Sequence, residues 1–257
     1  MVRSMIDLAP VKQLVLIPSF NTGAKLFETV AEARRLWCPV WVVIDGSTDG
    51  TAETLRHLAQ DDPELRVFVL ARNQGKGAAV LHGLLVAQTQ GFTHVLTLDA
   101  DGQHNGADIP RMMALSAAQP DAMVLGSPIF DASAPGIRVA GRRLANLVTN
   151  LATVWGGIGD SLFGLRVYPV APLLRAFQAT RWMRRFDFDP EAAIRLCRQG
   201  VRIINYPSPV RYFRSDEGGV SHFNYLRDNL VLGFMFLRLL AEMLSWRRID
   251  AVRPSRR

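Results

Sequence analysis

The sequence predicts an α/β fold: a mostly parallel sheet flanked by helices. Three observations lead there. Short apolar runs alternate with helical patterns through the first half of the chain. Those runs are β-branched or Leu-rich and end in Pro, Gly, Asp or Ser, as buried strands do. The 257 residues are 49% hydrophobic, enough to bury a sizeable core in one large domain or one domain with an appendage. Alternating strand and helix units specify a doubly wound sheet. In such sheets ligands sit outside the carboxyl ends of the strands.

Taken in order, strands are expected at Gln13–Pro18, Val40–Asp45, Leu65–Leu70, His94–Asp99 and Ala122–Ser127. Helices are expected between them at Ala24–Leu36, Thr51–Gln60, Lys76–Gln90 and Asp108–Ala118. The second helix follows Asp49, a good N-cap, and the last carries Pro110 near its first turn. The second half is less regular. It reads as a helix at Arg138–Trp155, a strand at Phe163–Tyr168, a helix at Glu191–Gly200 and a strand at Val201–Pro207. Asn224–Trp246 reads as a long helix, apolar on most of its circumference, followed by Arg247, Arg248, Arg253, Arg256 and Arg257. A helix of that kind is either buried or lies in a membrane interface.

Charge divides the chain. Residues 1–137 hold 10 Lys+Arg against 14 Asp+Glu, a net of −4, and residues 138–257 hold 20 against 9, a net of +11; together they make the overall +7. An acidic half suits a divalent cation, and a basic half suits phosphate-bearing ligands or an anionic lipid surface. The arginines lack interleaved aromatics and any recognisable nucleic-acid motif, so nucleic acid is not an expected partner. Mean hydropathy is +0.09, yet no apolar run reaches the ~18–20 residues a bilayer span needs. Met1–Pro10 has no long apolar stretch, so no signal peptide is expected. Cys38 and Cys197 read as two buried thiols in a reducing compartment.

Polar residues gather at three strand ends: Pro18-Ser19-Phe20-Asn21, Asp45-Gly46-Ser47-Thr48-Asp49-Gly50, and Asp99-Ala100-Asp101-Gly102-Gln103-His104. Asp99 and Asp101, at i and i+2 where a strand breaks into a loop, can turn toward one hard cation. Gln103 can add a neutral oxygen. Lys76 opens a helix, where its charge and the backbone N–H groups can meet an anion. Each motif has a plainer reading: an acidic turn, a capped strand-to-helix turn, or a glycine step without P-loop spacing. Their order on one α/β pattern is more specific than any one of them.

These segments resemble glycosyltransferase family 2, the GT-A fold, in the branch of dolichol-phosphate mannose synthase and bacterial polyprenyl-phosphate glycosyltransferases. The matching stretches are LVLIPSFN, VVIDGSTDGT, RNQGKGAAVLHG, VLTLDADGQH, VLGSP, FGLRVYP, RFDFDPEAAIRLCRQGVRIINYP and EGGVSHF, from about residue 13 to 224. The resemblance implies an inverting enzyme that moves a sugar from a UDP- or GDP-sugar to a polyprenyl phosphate or another cell-envelope acceptor. It places Pro18, Ser19, Asn21, Asp45, Gly46, Ser47, Lys76, Asp99, Ala100 and Asp101 around the donor. Mn2+ or Mg2+ would sit on Asp99 and Asp101, with Gln103. Arg142, Arg143, Arg166 and His222 would meet the acceptor or a phosphate. Asp160, with Asp189 behind it, is the candidate base if the acceptor is a hydroxyl; an ionised phosphate needs none. Two departures stand out: Ile44-Asp45 where many members have two acids, and Pro128 after Gly126-Ser127 where the mannose synthases usually have Arg.

The expected division is a GT-A domain over 1–222 and a C-terminal helix with a basic tail over 223–257. That tail is the expected means of peripheral attachment to the inner face of a membrane, or to a membrane partner protein, for an otherwise cytoplasmic chain. The competing readings are a nucleotidyltransferase and a non-catalytic nucleotide- or lipid-binding module.

Overall fold

The computed structural model describes residues 10–130, 136–211 and 225–252. The first half follows the expected pattern: β1 Gln13–Ser19, α1 Ala24–Leu36, β2 Val40–Asp45, α2 Thr51–Gln60, β3 Leu65–Leu70, α3 Lys76–Thr89, β4 His94–Thr97, α4 Ile109–Ala118 and β5 Ala122–Ile129. The second half holds α5 Gly136–Ala152, β6 Arg166–Pro169, α6 Val170–Gln178, α7 Phe188–Arg198, β7 Arg202–Pro209 and α8 Tyr225–Val252.

Seven strands form one sheet in the order β3-β2-β1-β4-β6-β5-β7. All pair in parallel except β6, which runs antiparallel between β4 and β5. Period-two alternation builds a core on each face. Leu14 and Leu16 of β1 join Trp41, Leu84, Tyr168 and Phe188 on one side, while Val15 and Ile17 join Val42, Leu55 and Met112 on the other. The parallel strands deliver their carboxyl ends, and so the polar loops after β1, β2 and β4, to one edge.

Three elements and the two cysteines differ from the sequence reading. β4 stops at Thr97 rather than Asp99, so both aspartates of the Asp99–Asp101 pair lie in the loop. α6 was not expected: Pro169 and Pro172 disguise it, but both sit at its start, where a missing N–H costs nothing. α7 begins three residues earlier than expected, which brings Asp189 into its first turn. Cys38 is exposed, and Cys197 is half-buried; neither is in a disulfide.

α8 docks on α5 and α7. Leu232, Met235 and Leu239 pack with Ala152 and Ile194. Beneath them Glu191, fully buried, accepts hydrogen bonds from Arg195 Nε at 2.7 Å and from Arg238. Glu242 of α8 accepts from Arg195 at 3.1 Å and from Arg238 at 3.0 Å. Arg198 donates to the Ala152 carbonyl at the end of α5 and to the Leu239 carbonyl of α8. Among the described residues no helix is long and apolar enough to cross a membrane.

Candidate active site

The loops after β1 and β2 are stitched together by their own motif residues. Asn21, at φ 44°, receives Ser47 as acceptor for its N–H at 2.9 Å, and its Oδ1 accepts from Thr48 N at 2.7 Å. Asp49 accepts from Gly23 N at 3.0 Å and from the Thr51 hydroxyl at 2.6 Å, so it ties the start of α2 to the start of α1, while the N-cap position itself is Gly50 rather than Asp49. Burial opposes its charge, but these donors hold its carboxyl below the usual range. Ser19 shares a hydrogen bond with Thr22 at 3.0 Å.

Asp45 closes the next loop. Its carboxylate accepts from Gln74 N at 2.9 Å and Gly75 N at 2.7 Å, which fixes the entrance to α3. Burial pushes its carboxyl up in spite of these bonds. Gly46 is required beside it: φ is 70°, and a Cβ there would lie 2.4 Å from the Arg72 backbone.

That entrance presents Lys76. Its ammonium lies 2.5 Å from Asp99 Oδ1 and 2.6 Å from Asp189 Oδ2. Against the cost of burial, Asp189 and Asp99 hold the lysine well above its usual pKa. On its other oxygen Asp99 meets His104 Nε2 at 3.1 Å. Burial opposes the Asp99 charge, but Lys76 and His104 keep its carboxyl well below the usual carboxylate range. Gly164 packs directly on this carboxylate, since a Cβ would fall 2.2 Å from Asp99 Oδ2. Asp101 has the opposite balance. Burial, then the charge of Asp99, pushes it up, although the Gln103 N–H bonds it at 3.0 Å. Buried Ala100 separates the two, its carbonyl bonded by Thr29 Oγ at 3.2 Å.

Asp99 and Asp101 form a crowded anionic pair of hard oxygen donors, short of positive charge on the Asp101 side. This donor set fits Mg2+ or Mn2+. Among the described residues no group of three or more carboxylate, cysteine and histidine side chains forms a ready cluster; Gln103 enters this loop through its backbone N–H on Asp101.

Other expected site residues are placed differently. Arg166 is fully buried and donates to the Phe163 carbonyl at 2.6 Å, the Asp189 carbonyl at 2.5 Å and Tyr168 Oη at 3.0 Å. It braces the loops around the site and presents no guanidinium edge to an acceptor. Beside it, burial pushes the Tyr168 phenol up to about 12. Asp160 is also buried; Oδ1 accepts from Arg142 at 2.6 Å, Leu162 N at 2.9 Å and Phe163 N at 2.8 Å, and Oδ2 accepts from Asn146 at 3.1 Å. A carboxylate so fully bonded anchors α5 to the loop before β6. Arg142 is its counter-ion, while Arg143 is exposed on the next position of α5. Asp187 satisfies Met183 N and Arg185 N upstream of α7 instead of that helix's own first turn. His222 lies outside the described residues. His104, a positioning residue for Asp99, and the pairing of Lys76 with Asp189 were not foreseen.

A family model for "Glycosyl transferase family 2" matches residues 14–166, from β1 into β6. The chain belongs to glycosyl transferase family 2. As a family 2 glycosyltransferase it is a transferase, and membership decides for glycosyl over nucleotidyl transfer. An undecaprenyl-phosphate mannosyltransferase of Micrococcus luteus is 27% identical over 214 residues, 76% of this chain and 81% of that protein. A polyprenol monophosphomannose synthase of Mycolicibacterium smegmatis is 28% identical over 219 residues, 82% of this chain and 80% of that protein. Among solved structures, glucosyl-3-phosphoglycerate synthase from Mycobacterium tuberculosis, crystallised with Mn2+ and UDP, superposes with a TM-score of 0.63 over 91% of this chain and 79% of that one, at 20% identity. Mannosyl-3-phosphoglycerate synthase from Rubrobacter xylanophilus gives 0.60 over 96% and 77%, at 18% identity. At such identities the two structures establish the GT-A fold.

Proposed function

We propose that this glycosyltransferase moves a sugar from a UDP- or GDP-sugar to a polyprenyl phosphate at a membrane surface, with inversion and with a divalent cation. The observation that carries the reading is the convergence of Asp99, Asp101 and Lys76 at the carboxyl edge of the sheet. Asp99 and Asp101, with Gln103, would hold Mn2+ or Mg2+. When bound, the cation neutralises the charge that builds on the departing diphosphate. Lys76 is within reach of the same charge from the other side. The β1 and β2 loops, with Pro18, Ser19, Asn21, Asp45, Gly46 and Ser47, frame the side on which the nucleoside would lie.

The acceptor class is supported by chemistry as well as by the names of the relatives. A hydroxyl acceptor needs a base, and would have to find it at Asp160, whose carboxylate carries four hydrogen bonds, or at Asp189, which is ion-paired with Lys76 on Oδ2 and open only at Oδ1. A phosphate acceptor is already ionised and needs neither. The basic second half, with exposed Arg143 on α5, supplies complementary charge. We assign the donor chemistry to residues 1–222. We assign attachment at the cytoplasmic side of a membrane to residues 223–257, the C-terminal helix and basic tail.

A thermal-shift panel of UDP- and GDP-sugars, with and without Mn2+, tests this. One donor should raise the melting temperature only with metal, and should then yield free nucleoside diphosphate when a short-chain prenyl phosphate is added. Metal-independent binding of every donor, with no turnover on any acceptor, would leave the non-catalytic module as the better description.

A further inference from the structure

We infer that Asp187 is a positioning residue for the donor site: it closes the loop before α7 onto the start of α3, and that contact sets Lys76 between Asp99 and Asp189. The inference rests on the proposed function only for the meeting of Lys76 with the donor diphosphate.

The contacts start at a helix without a side-chain cap. The N-cap of α3 is Gly75, so no side chain bonds the orphan N–H groups of the first turn. A distant loop serves one of them: Ala78 N donates to the Arg184 carbonyl at 3.0 Å as well as to that of Gly75. The glycines of Gly75-Lys76-Gly77 make room for this approach. A Cβ on Gly75 would collide with the Arg184 carbonyl oxygen, and one on Gly77 with that of Met183. The N–H groups of Gln74 and Gly75 are taken by Asp45. What this helix start offers a phosphate is therefore chiefly the Lys76 ammonium.

The loop that supplies these carbonyls needs a clamp. Met183 has left-handed backbone, at φ 64°, and its side chain is fully buried in the core cluster that also holds Phe177 and Phe188. Asp187 is the clamp. Its buried carboxylate accepts from Met183 N at 3.0 Å through Oδ2 and from Arg185 N at 2.8 Å through Oδ1. The two bonds bracket Arg184 and aim its carbonyl at Ala78. Arg185 adds a second tie, donating to Asn73 Oδ1 at 3.3 Å, just ahead of α3.

The plainer role for this aspartate is to cap its own helix. Asp187 occupies the N-cap position of α7, yet its side chain makes no cap bond there. It spends both oxygens on the loop that seats α3. Two residues on, Asp189 takes the Lys76 ammonium, whose other partner is Asp99. Asp187 thus fixes the backbone that carries Lys76, and Asp189 fixes its charged end. The start of α7 holds the lysine at both points.

The test compares wild type, Asp187→Asn, Lys76→Gln and the double variant Lys76→Gln/Asp187→Asn, each as the full chain. In Asp187→Asn the amide oxygen can serve one loop N–H, but the new NH2 opposes the other. Titration with the UDP- or GDP-sugar that binds wild type, in the presence of Mn2+, should show affinity about tenfold weaker for Asp187→Asn. In the Lys76→Gln background the same substitution should weaken it by less than about twofold, because its effect passes through a group already gone. A residue that merely supports the fold would cost the same in both backgrounds. A second readout needs no donor. Acetic anhydride labelling with peptide mass mapping should find the mostly buried Lys76 protected in wild type and modified several-fold faster in Asp187→Asn. Gly77→Ala displaces the Met183 carbonyl while leaving Asp187 intact. It should expose Lys76 in the same way, and it carries the test if Asp187→Asn does not fold. Equal losses of donor affinity with and without Lys76 would overturn the inference, as would wild-type protection of Lys76 in both Asp187→Asn and Gly77→Ala. Labelling that obeys these expectations in a protein that binds no nucleotide sugar would uphold the positioning role and remove the proposed donor chemistry.

Discussion

Two pairs of carboxylates differ in what surrounds them. Asp45 and Asp101 are pushed up by burial, and Asp101 suffers in addition the charge of Asp99. Glu191 and Asp160 are instead enclosed by donors. Glu191 has an arginine on each oxygen, and Asp160 has four hydrogen bonds. Charge in the first region is a liability to the fold and is kept for a ligand; charge in the second is consumed by the fold. This is the expected signature of a site set against a scaffold.

The sharpest way to break the contrast is Asp101→Asn. The amide oxygen can still accept from Gln103 N, so the loop should keep its shape. Transfer should fall on the order of 10³-fold, because a cation ligand worth several kcal/mol of charge stabilisation is gone. The melting temperature of the metal-free protein should rise. A raised carboxyl pKa means the folded state disfavours the charge, so removing it relieves the fold at neutral pH. A drop in melting temperature together with retained transfer would put Asp101 on the scaffold side.

Glu191→Gln is the mirror image. It removes the buried charge between Arg195 and Arg238 and leaves them only the half-exposed Glu242 as counter-charge, a loss of about 3 kcal/mol. For a chain of this size the melting temperature should fall by roughly 10 °C. At low temperature, kcat/KM should stay within a few-fold of wild type. A large kinetic effect with an unchanged melting temperature would move Glu191 into the chemistry.

The same contrast explains how far the sequence could be read. The strands from β1 to β5 were legible because buried parallel strands are continuous apolar runs, and the polar residues that follow them stand out by contrast. Asp99 and Asp101 were found for that reason. Lys76 and Asp189 are 113 residues apart, and no spacing rule joins them. Arg166 and Asp160 were expected at the site from the family resemblance alone; the carbonyls that Arg166 binds and the donors that surround Asp160 are invisible in sequence. His104 was in plain view within DADGQH, but its role depends on the loop folding back to set Nε2 on Asp99.

Asp160→Asn asks whether this carboxylate belongs to the scaffold or to the chemistry. The new amide would face the Asn146 amide, donor against donor, and Arg142 would lose its charge partner. A stability loss of about 1–3 kcal/mol should follow. The pH profile of kcat/KM should not move, and kcat should stay within about tenfold. An unchanged melting temperature with transfer down more than about 100-fold, restored toward high pH, would return Asp160 to the role of base.

The smallest expected effect probes the boundary between the two regions, because Lys76 belongs to both. Its ammonium neutralises Asp99 in the absence of a cation, and it reaches Asp189 on the scaffold side. Lys76→Gln should therefore have effects of opposite sign. Without nucleotide, Mn2+ should bind about tenfold more tightly, since one positive charge no longer competes for Asp99; a 1.4 kcal/mol change suffices for that factor. With nucleotide, affinity for the donor diphosphate should fall by a similar factor, because the same ammonium is lost to the phosphates. Free Mn2+ measured by electron paramagnetic resonance reads the first effect without any turnover, and donor titration reads the second. Weaker Mn2+ binding in the variant would mean that Lys76 orients Asp99 for the metal and does not stand in its place. Asp99 would then depend on the scaffold as heavily as Glu191 does, and the line between the two regions would have to be redrawn at Asp101.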